Sequence, residues 1–169
     1  GSEANELALR LAKAYTGSKE FLTFDHGYHG NTNGVLEVSP YKFNKPNGIG
    51  RKKWVHVMDC PDPFRDVDPR FQIDRILDKL SSKNRPVAGF ISEIFPSVAG
   101  QIIPQDGILK YIYKQKIFCL EIGIQVSYFQ YILDHQLILH PTNPFDQKTV
   151  SIVVFVLYYK NQLHQTVIL

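Results

Sequence analysis

Helical and strand-like patterns take turns along the first 114 residues of this chain, and that order limits the folds open to it. Glu3 to Tyr15 predicts a helix, with Leu7 and Leu11 at i, i+4, Ala8 and Ala12 beside them, Ser2 as N-cap and Gly17 as the stop. Phe21 to Phe24 and Trp54 to Met58 are apolar runs of strand length. Phe71 to Ser81 returns to helical spacing through Phe71, Ile73, Ile76, Leu77 and Leu80, and Val87 to Ile91 is an apolar run directly after the breaker Pro86. Alternation of this kind predicts an α/β fold, a parallel sheet covered by helices whose ligands sit at the carboxyl ends of the strands.

The pattern breaks near Gln115. Residues 1–114 hold 29 charged side chains, six alanines and ten glycines; residues 115–169 hold 6 charged side chains, no alanine and one glycine, with Tyr, Phe, Ile, Leu and Gln dense among them. We therefore divide the chain into an α/β unit over 1–114 and a divergent apolar tail over 115–169. The run Ser151 to Tyr159 is well short of the ~20 apolar residues of a membrane span, and its polar flanks at Asp146 to Lys148 and Lys160 to Gln162 favour a buried strand. No membrane partner is expected.

Charge and cysteine usage narrow the class further. A net charge of +3, with the basic triplet Arg51, Lys52 and Lys53 read as a solvated loop, does not point to nucleic acid. Cys60 and Cys119 are too few for a disulfide scaffold and lack zinc spacing, which fits a reducing intracellular compartment, cytoplasm or mitochondrion, better than secretion. The chain opens at Gly1 without a methionine or a leader pattern.

Three loops carry chemistry. Gly1 and Ser2 stand at the amino end of a strong helix, where unpaired N–H groups and the helix dipole favour an anion; phosphate and ordinary capping are both open readings. The loop Asp25-His26-Gly27-Tyr28-His29-Gly30-Asn31-Thr32 offers the flat face of Tyr28 to a planar cofactor, with His29 able to hydrogen-bond or stack. His26 and His29 could share a metal, but no further ligand is near in sequence, so no metal site is assigned. Glu93 follows Phe90-Ile91-Ser92 at the end of an apolar strand, where a carboxylate is either a general acid/base or a hydrogen-bonding brace.

Taken together, GSEANELALRLAKAYTG, FDHGYHGNT, VSPYKF, FISE, AGQIIP and DG resemble, in order and spacing, the class III, fold-type I aminotransferases, with the flavour of the alanine-glyoxylate aminotransferase-like and ethanolamine-phosphate phospho-lyase branch. The resemblance covers about residues 1–114. It implies part of the three-layer large domain of an enzyme dependent on pyridoxal 5′-phosphate. Gly1 and Ser2 would hold the cofactor phosphate, Tyr28 would lie against the pyridine ring with His29 completing the loop, and Glu93 would stand in the cofactor network. Pro96 occupies a position where many members have Gln, and Val98 one where an acid is absent.

The family's D-E-V aspartate and its Schiff-base lysine have no matching context here; Lys116, Glu121, Lys148 and Lys160 are assigned no role and no catalytic residue is named. The resemblance thus implies a fragment, inactive as this chain, from a parent that acts on small amines and 2-oxo acids and forms homodimers. The tail reads as a misjoined or unrelated segment. Alternatives from other classes are a phospho-lyase for phosphorylated amino alcohols, a non-catalytic phosphate-binding or interaction module, and an autonomous phosphate-ester enzyme using His26, His29, Asp25 and Glu93.

Overall fold

Small side chains decide how the first helix meets the sheet. In the computed structural model, which describes residues 1–93, 95–115, 119–124, 151–159 and 162–168, helix α1 (Ser2–Thr16) buries Asn5, Ala8, Leu9 and Ala12. Leu7 and Leu11 are 47% and 39% exposed, so the predicted leucine pair lies off the buried face. The alanines let the helix axis approach the strands, and Leu9 fills the gap between them, a burial worth ~2 kcal/mol. Gly17 ends α1 in the left-handed conformation at φ 65, as the sequence suggested. Ser2 is not the N-cap: it is the first helical residue, Gly1 takes the cap position, and no side chain caps the helix.

Strands β1 (Glu20–Phe24), β2 (Val55–Met58) and β3 (Val87–Glu93) form one half of a sheet ordered β2-β1-β3-β4-β5-β6, with β4 (Cys119–Ile124), β5 (Ser151–Tyr159) and β6 (Gln162–Ile168) beyond them. Neighbours are parallel up to β5, and β6 runs antiparallel to it. The run from Ser151 to Tyr159 is thus a strand; its side chains, like Lys116, Lys148 and Lys160, lie outside the described residues.

Alternation along β1 sends Phe21 to one face, and Leu22 and Phe24 to the other. Phe21 packs with Ala8, Leu9, Ala12, Val35 and Val38 from α1 and α2 (Asn33–Glu37) and its neighbourhood. Leu22 and Phe24 pack with Ile73, Leu80, Ile108 and Ile112 from α4 (Arg70–Ser81) and α5 (Ile108–Lys114). Helices on both faces of one sheet make the three-layer sandwich that the sequence implied. An extra residue at Ala88 shifts the β1–β3 register and moves β3 from one face pattern to the other: Ala88 and Ile91 join the α1 side, Phe90 the α4 side.

The second predicted helix is present as α4, but only Ile73 and Leu80 are fully buried. Phe71 is 71% exposed, with the Arg75 guanidinium over its ring at 5.8 Å. At the amino ends of the strands, the buried Glu20 carboxylate accepts from His56 Nε2 at 2.8 Å and from Arg85 Nε at 3.0 Å, tying β1, β2 and the entry to β3 together.

Candidate functional site

Because α1 leads into β1 and reverses direction on the way, its start lies beside the loop that leaves the end of β1. Two contacts fix this. Asn5 Nδ2 donates to the His29 carbonyl at 2.7 Å, and the Asn31 N–H donates to Ser2 Oγ at 3.1 Å. Gly30, at φ +134, is the close approach: a Cβ there would fall 2.6 Å from Ser2 Oγ. The hydroxyl that would have capped its own helix instead accepts from the loop.

The first intrahelical bond of α1 runs from Asn5 N to the Gly1 carbonyl at 3.0 Å, so the amides of Ser2, Glu3 and Ala4 have no partner within the helix. This donor set, at the positive end of a 15-residue helix, suits a phosphate.

Tyr28 is placed by its backbone. Its N–H donates to Glu93 Oε1 at 3.1 Å, while Glu93 Oε2 accepts from Ser97 N at 3.0 Å and Ser97 Oγ at 2.8 Å. The buried Glu93 carboxylate therefore has both oxygens committed, which is the brace and not the general acid/base arrangement. The half-buried Tyr28 ring meets Tyr41 edge-on, with centroids 5.8 Å apart.

His29 lies beneath the loop and is buried. Its Nε2 pairs with Thr23 Oγ1 at 2.9 Å, its N–H donates to Ser39 Oγ at 3.1 Å, and Nδ1 has no partner. Burial pushes its pKa down to about 3, which keeps the ring neutral. His26 is exposed and pairs with Asp25 at 3.3 Å, so the four residues of the phosphate-ester alternative are not assembled into one reacting group. Among the described residues no three His, Cys, Asp or Glu side chains come together as metal ligands, and no helix is long and apolar enough to cross a membrane.

Two parts of the site had no place in the sequence reading. One is α3 (Pro40–Phe43), which brings Tyr41 and Lys42 against Tyr28. Pro40 after Ser39 was the available signal, since proline suits the first helical position. The other is Glu6, whose Oε2 accepts from Thr32 Oγ1 at 2.6 Å, Gly34 N at 3.0 Å and Val35 N at 3.2 Å. That carboxylate, borrowed from α1, satisfies the start of α2, which has no cap of its own.

The α/β sandwich thus brings an unpaired helix start, an aromatic ring and a braced carboxylate together at the carboxyl ends of its parallel strands. The family model "Aminotransferase class-III" matches residues 1–123, and the chain belongs to that family. It is 42% identical over 126 residues to an alanine–glyoxylate aminotransferase 2-like protein of Drosophila melanogaster, covering 67% of this chain and 26% of the relative. It is 36% identical over 129 residues to ethanolamine-phosphate phospho-lyase homolog 1 of Caenorhabditis elegans, covering 65% and 28%. The chain therefore spans about a quarter of the length of these relatives.

Among solved structures, a phospholyase from Arthrobacter in complex with phosphoethanolamine superposes with a TM-score of 0.62 at 25% identity, covering 76% of this chain and 33% of that one. A PLP-bound amine transaminase from an uncultivated Pseudomonas species shares the fold, with a TM-score of 0.61 at 22% identity over 72% and 32%. Pyridoxal 5′-phosphate is the cofactor that goes with this family.

Proposed function

We propose that residues 1–114 are part of the cofactor-binding large domain of a class III enzyme, with 115–169 a divergent tail whose described strands β4, β5 and β6 extend the same sheet. The observation that carries this is the convergence of the α1 start and the Tyr28 loop through Ser2, Gly30 and Asn31. In this reading the amides after Gly1, with the Ser2 hydroxyl, hold the phosphate of pyridoxal 5′-phosphate, and Tyr28 lies against its ring. Glu93 holds the Tyr28 backbone, and His29, neutral and buried, supports the loop from below.

When bound, the cofactor supplies an electron sink for bonds broken at the amine-bearing carbon. The parent reaction is amino transfer from a small amine to a 2-oxo acid, in a homodimer of a reducing intracellular compartment. Two names, the phospho-lyase homolog and the Arthrobacter phospholyase, favour a second reading in which a phosphorylated amino alcohol loses its phosphate. β4 runs beside β3 as Cys119–Ile124 and contains no aspartate, which supports the reading that this chain binds cofactor without turning substrate over. A non-catalytic phosphate-binding module is the limiting form of that statement.

The test is equilibrium titration of the chain with pyridoxal 5′-phosphate and, separately, pyridoxal. Saturable binding of the phosphorylated form alone, weakened about tenfold in Ser2→Ala by the lost hydroxyl contact, supports the reading. Equal binding of both compounds, or of neither, refutes it.

A further inference from the structure

Lys42 and Lys45 pack against aromatic rings and, among the described residues, meet no carboxylate. The Lys42 ammonium is 5.3 Å from the Tyr28 ring centroid and 6.0 Å from that of Tyr41. With those centroids 5.8 Å apart, it sits in the notch between the two rings. Lys45 Nζ lies 3.7 Å from the Tyr41 centroid, on the same phenol. Lys52, Arg65, Arg70 and Arg85 each meet a carboxylate within 4 Å; among the described residues neither Lys42 nor Lys45 does.

Backbone contacts keep this arrangement beside the loop. The Tyr41 N–H donates to the Gly27 carbonyl at 3.1 Å, and the His29 N–H reaches Ser39 Oγ just before α3. A ring face attracts the Lys42 ammonium but leaves its N–H groups free to donate, Lys45 gives one hydrogen bond to the Tyr41 side chain and keeps its other N–H groups, and a lysine is a compact point charge. Two such charges around one phenol match a doubly charged anion better than a single carboxylate.

We propose that Lys42, seated between Tyr28 and Tyr41 with Lys45 over the Tyr41 ring, is a substrate subsite for the phosphomonoester dianion of a phosphorylated amino alcohol. This rests on the reading that Tyr28 marks where the cofactor ring lies, and it is separate from the cofactor-phosphate site at Gly1 and Ser2.

The experiment uses the 169-residue chain and three probes, titrated separately: O-phosphoethanolamine followed by phosphorus NMR, ethanolamine, and pyridoxal 5′-phosphate. O-Phosphoethanolamine should bind and ethanolamine should not. Lys42→Gln should weaken O-phosphoethanolamine about tenfold, the loss expected for one charge-assisted contact. Lys42→Arg should retain most of the affinity, and pyridoxal 5′-phosphate affinity should fall less than O-phosphoethanolamine affinity in Lys42→Gln. Unchanged O-phosphoethanolamine binding in Lys42→Gln, no binding of it to the unsubstituted chain, or parallel weakening of both phosphates, which would mean one shared anion site, each overturns the proposal. Failure of pyridoxal 5′-phosphate alone to bind overturns the cofactor reading instead, while a Lys42-dependent O-phosphoethanolamine affinity still upholds the anion subsite.

Discussion

Glu93 Oε1 accepts the backbone N–H of Tyr28 at 3.1 Å across 65 residues of sequence, so the end of β3 sets where the aromatic ring stands. Both oxygens of the carboxylate are acceptors, and a glutamine can supply only one. Glu93→Gln places an amide N–H against another donor and should lower stability by about 1–3 kcal/mol. Chemical denaturation measures that loss, and the tyrosine near-ultraviolet dichroism should fall with it.

Gly30→Ala tests the approach of the loop to α1. The added methyl would meet Ser2 Oγ at 2.6 Å, at a φ of +134 that side chains rarely adopt. Pyridoxal 5′-phosphate affinity should drop in this variant more than in Ser2→Ala, because the loop itself is displaced. Equal affinities in the two variants would contradict the geometry.

Acid should act through His29. Its pKa is about 3 in the fold and near 6.5 ordinarily, so the unfolded chain binds a proton that the folded chain refuses. Stability is full above pH 6.5 and declines as the pH falls toward 3, by ~1.4 kcal/mol per unit from this one group. Thermal unfolding at pH 7 and pH 5 should show a decline that becomes shallower in His29→Leu.

Glu6 tethers α2 to α1 through three accepted hydrogen bonds. Removing that carboxylate in Glu6→Ala leaves the amides of Gly34 and Val35 without a partner at a partly buried helix start. The expected cost is about 1–3 kcal/mol, read from the denaturation midpoint. Glu6→Asp, one methylene shorter, should recover little of it.

Long-period elements were legible in the sequence. α1, β1, β2, α4 and β3 each begin and end within two residues of the apolar patterns that predicted them, since burial on a sheet face imposes those patterns directly. Which side of α1 is buried was not: Leu7 and Leu11 carry the apolar signal, but the sheet selects Ala8 and Ala12 for closeness. The short helices α2 and α3 escaped for another reason. Five and four residues cannot hold a helix alone, and what stabilises them comes from Glu6 and from the loop before them. In the site, the strand-end position of Glu93 suggested a brace, while its partners at Tyr28 and Ser97 depend on pairing distant strands. Lys42 and Tyr41 gave no signal beyond their place in VSPYKF, because a cation on a ring leaves no spacing rule in the chain.

The Ser2–Asn31 contact also has a dynamic consequence. Helix ends ordinarily fray one turn at a time, independently of the rest of the molecule. Here the first turn of α1 cannot open without releasing the Asn31 amide and, through Asn5, the His29 carbonyl. Helix start and ring loop thus form a single opening unit, and hydrogen exchange should report the Asn31 and Asn5 backbone amides with one shared opening free energy.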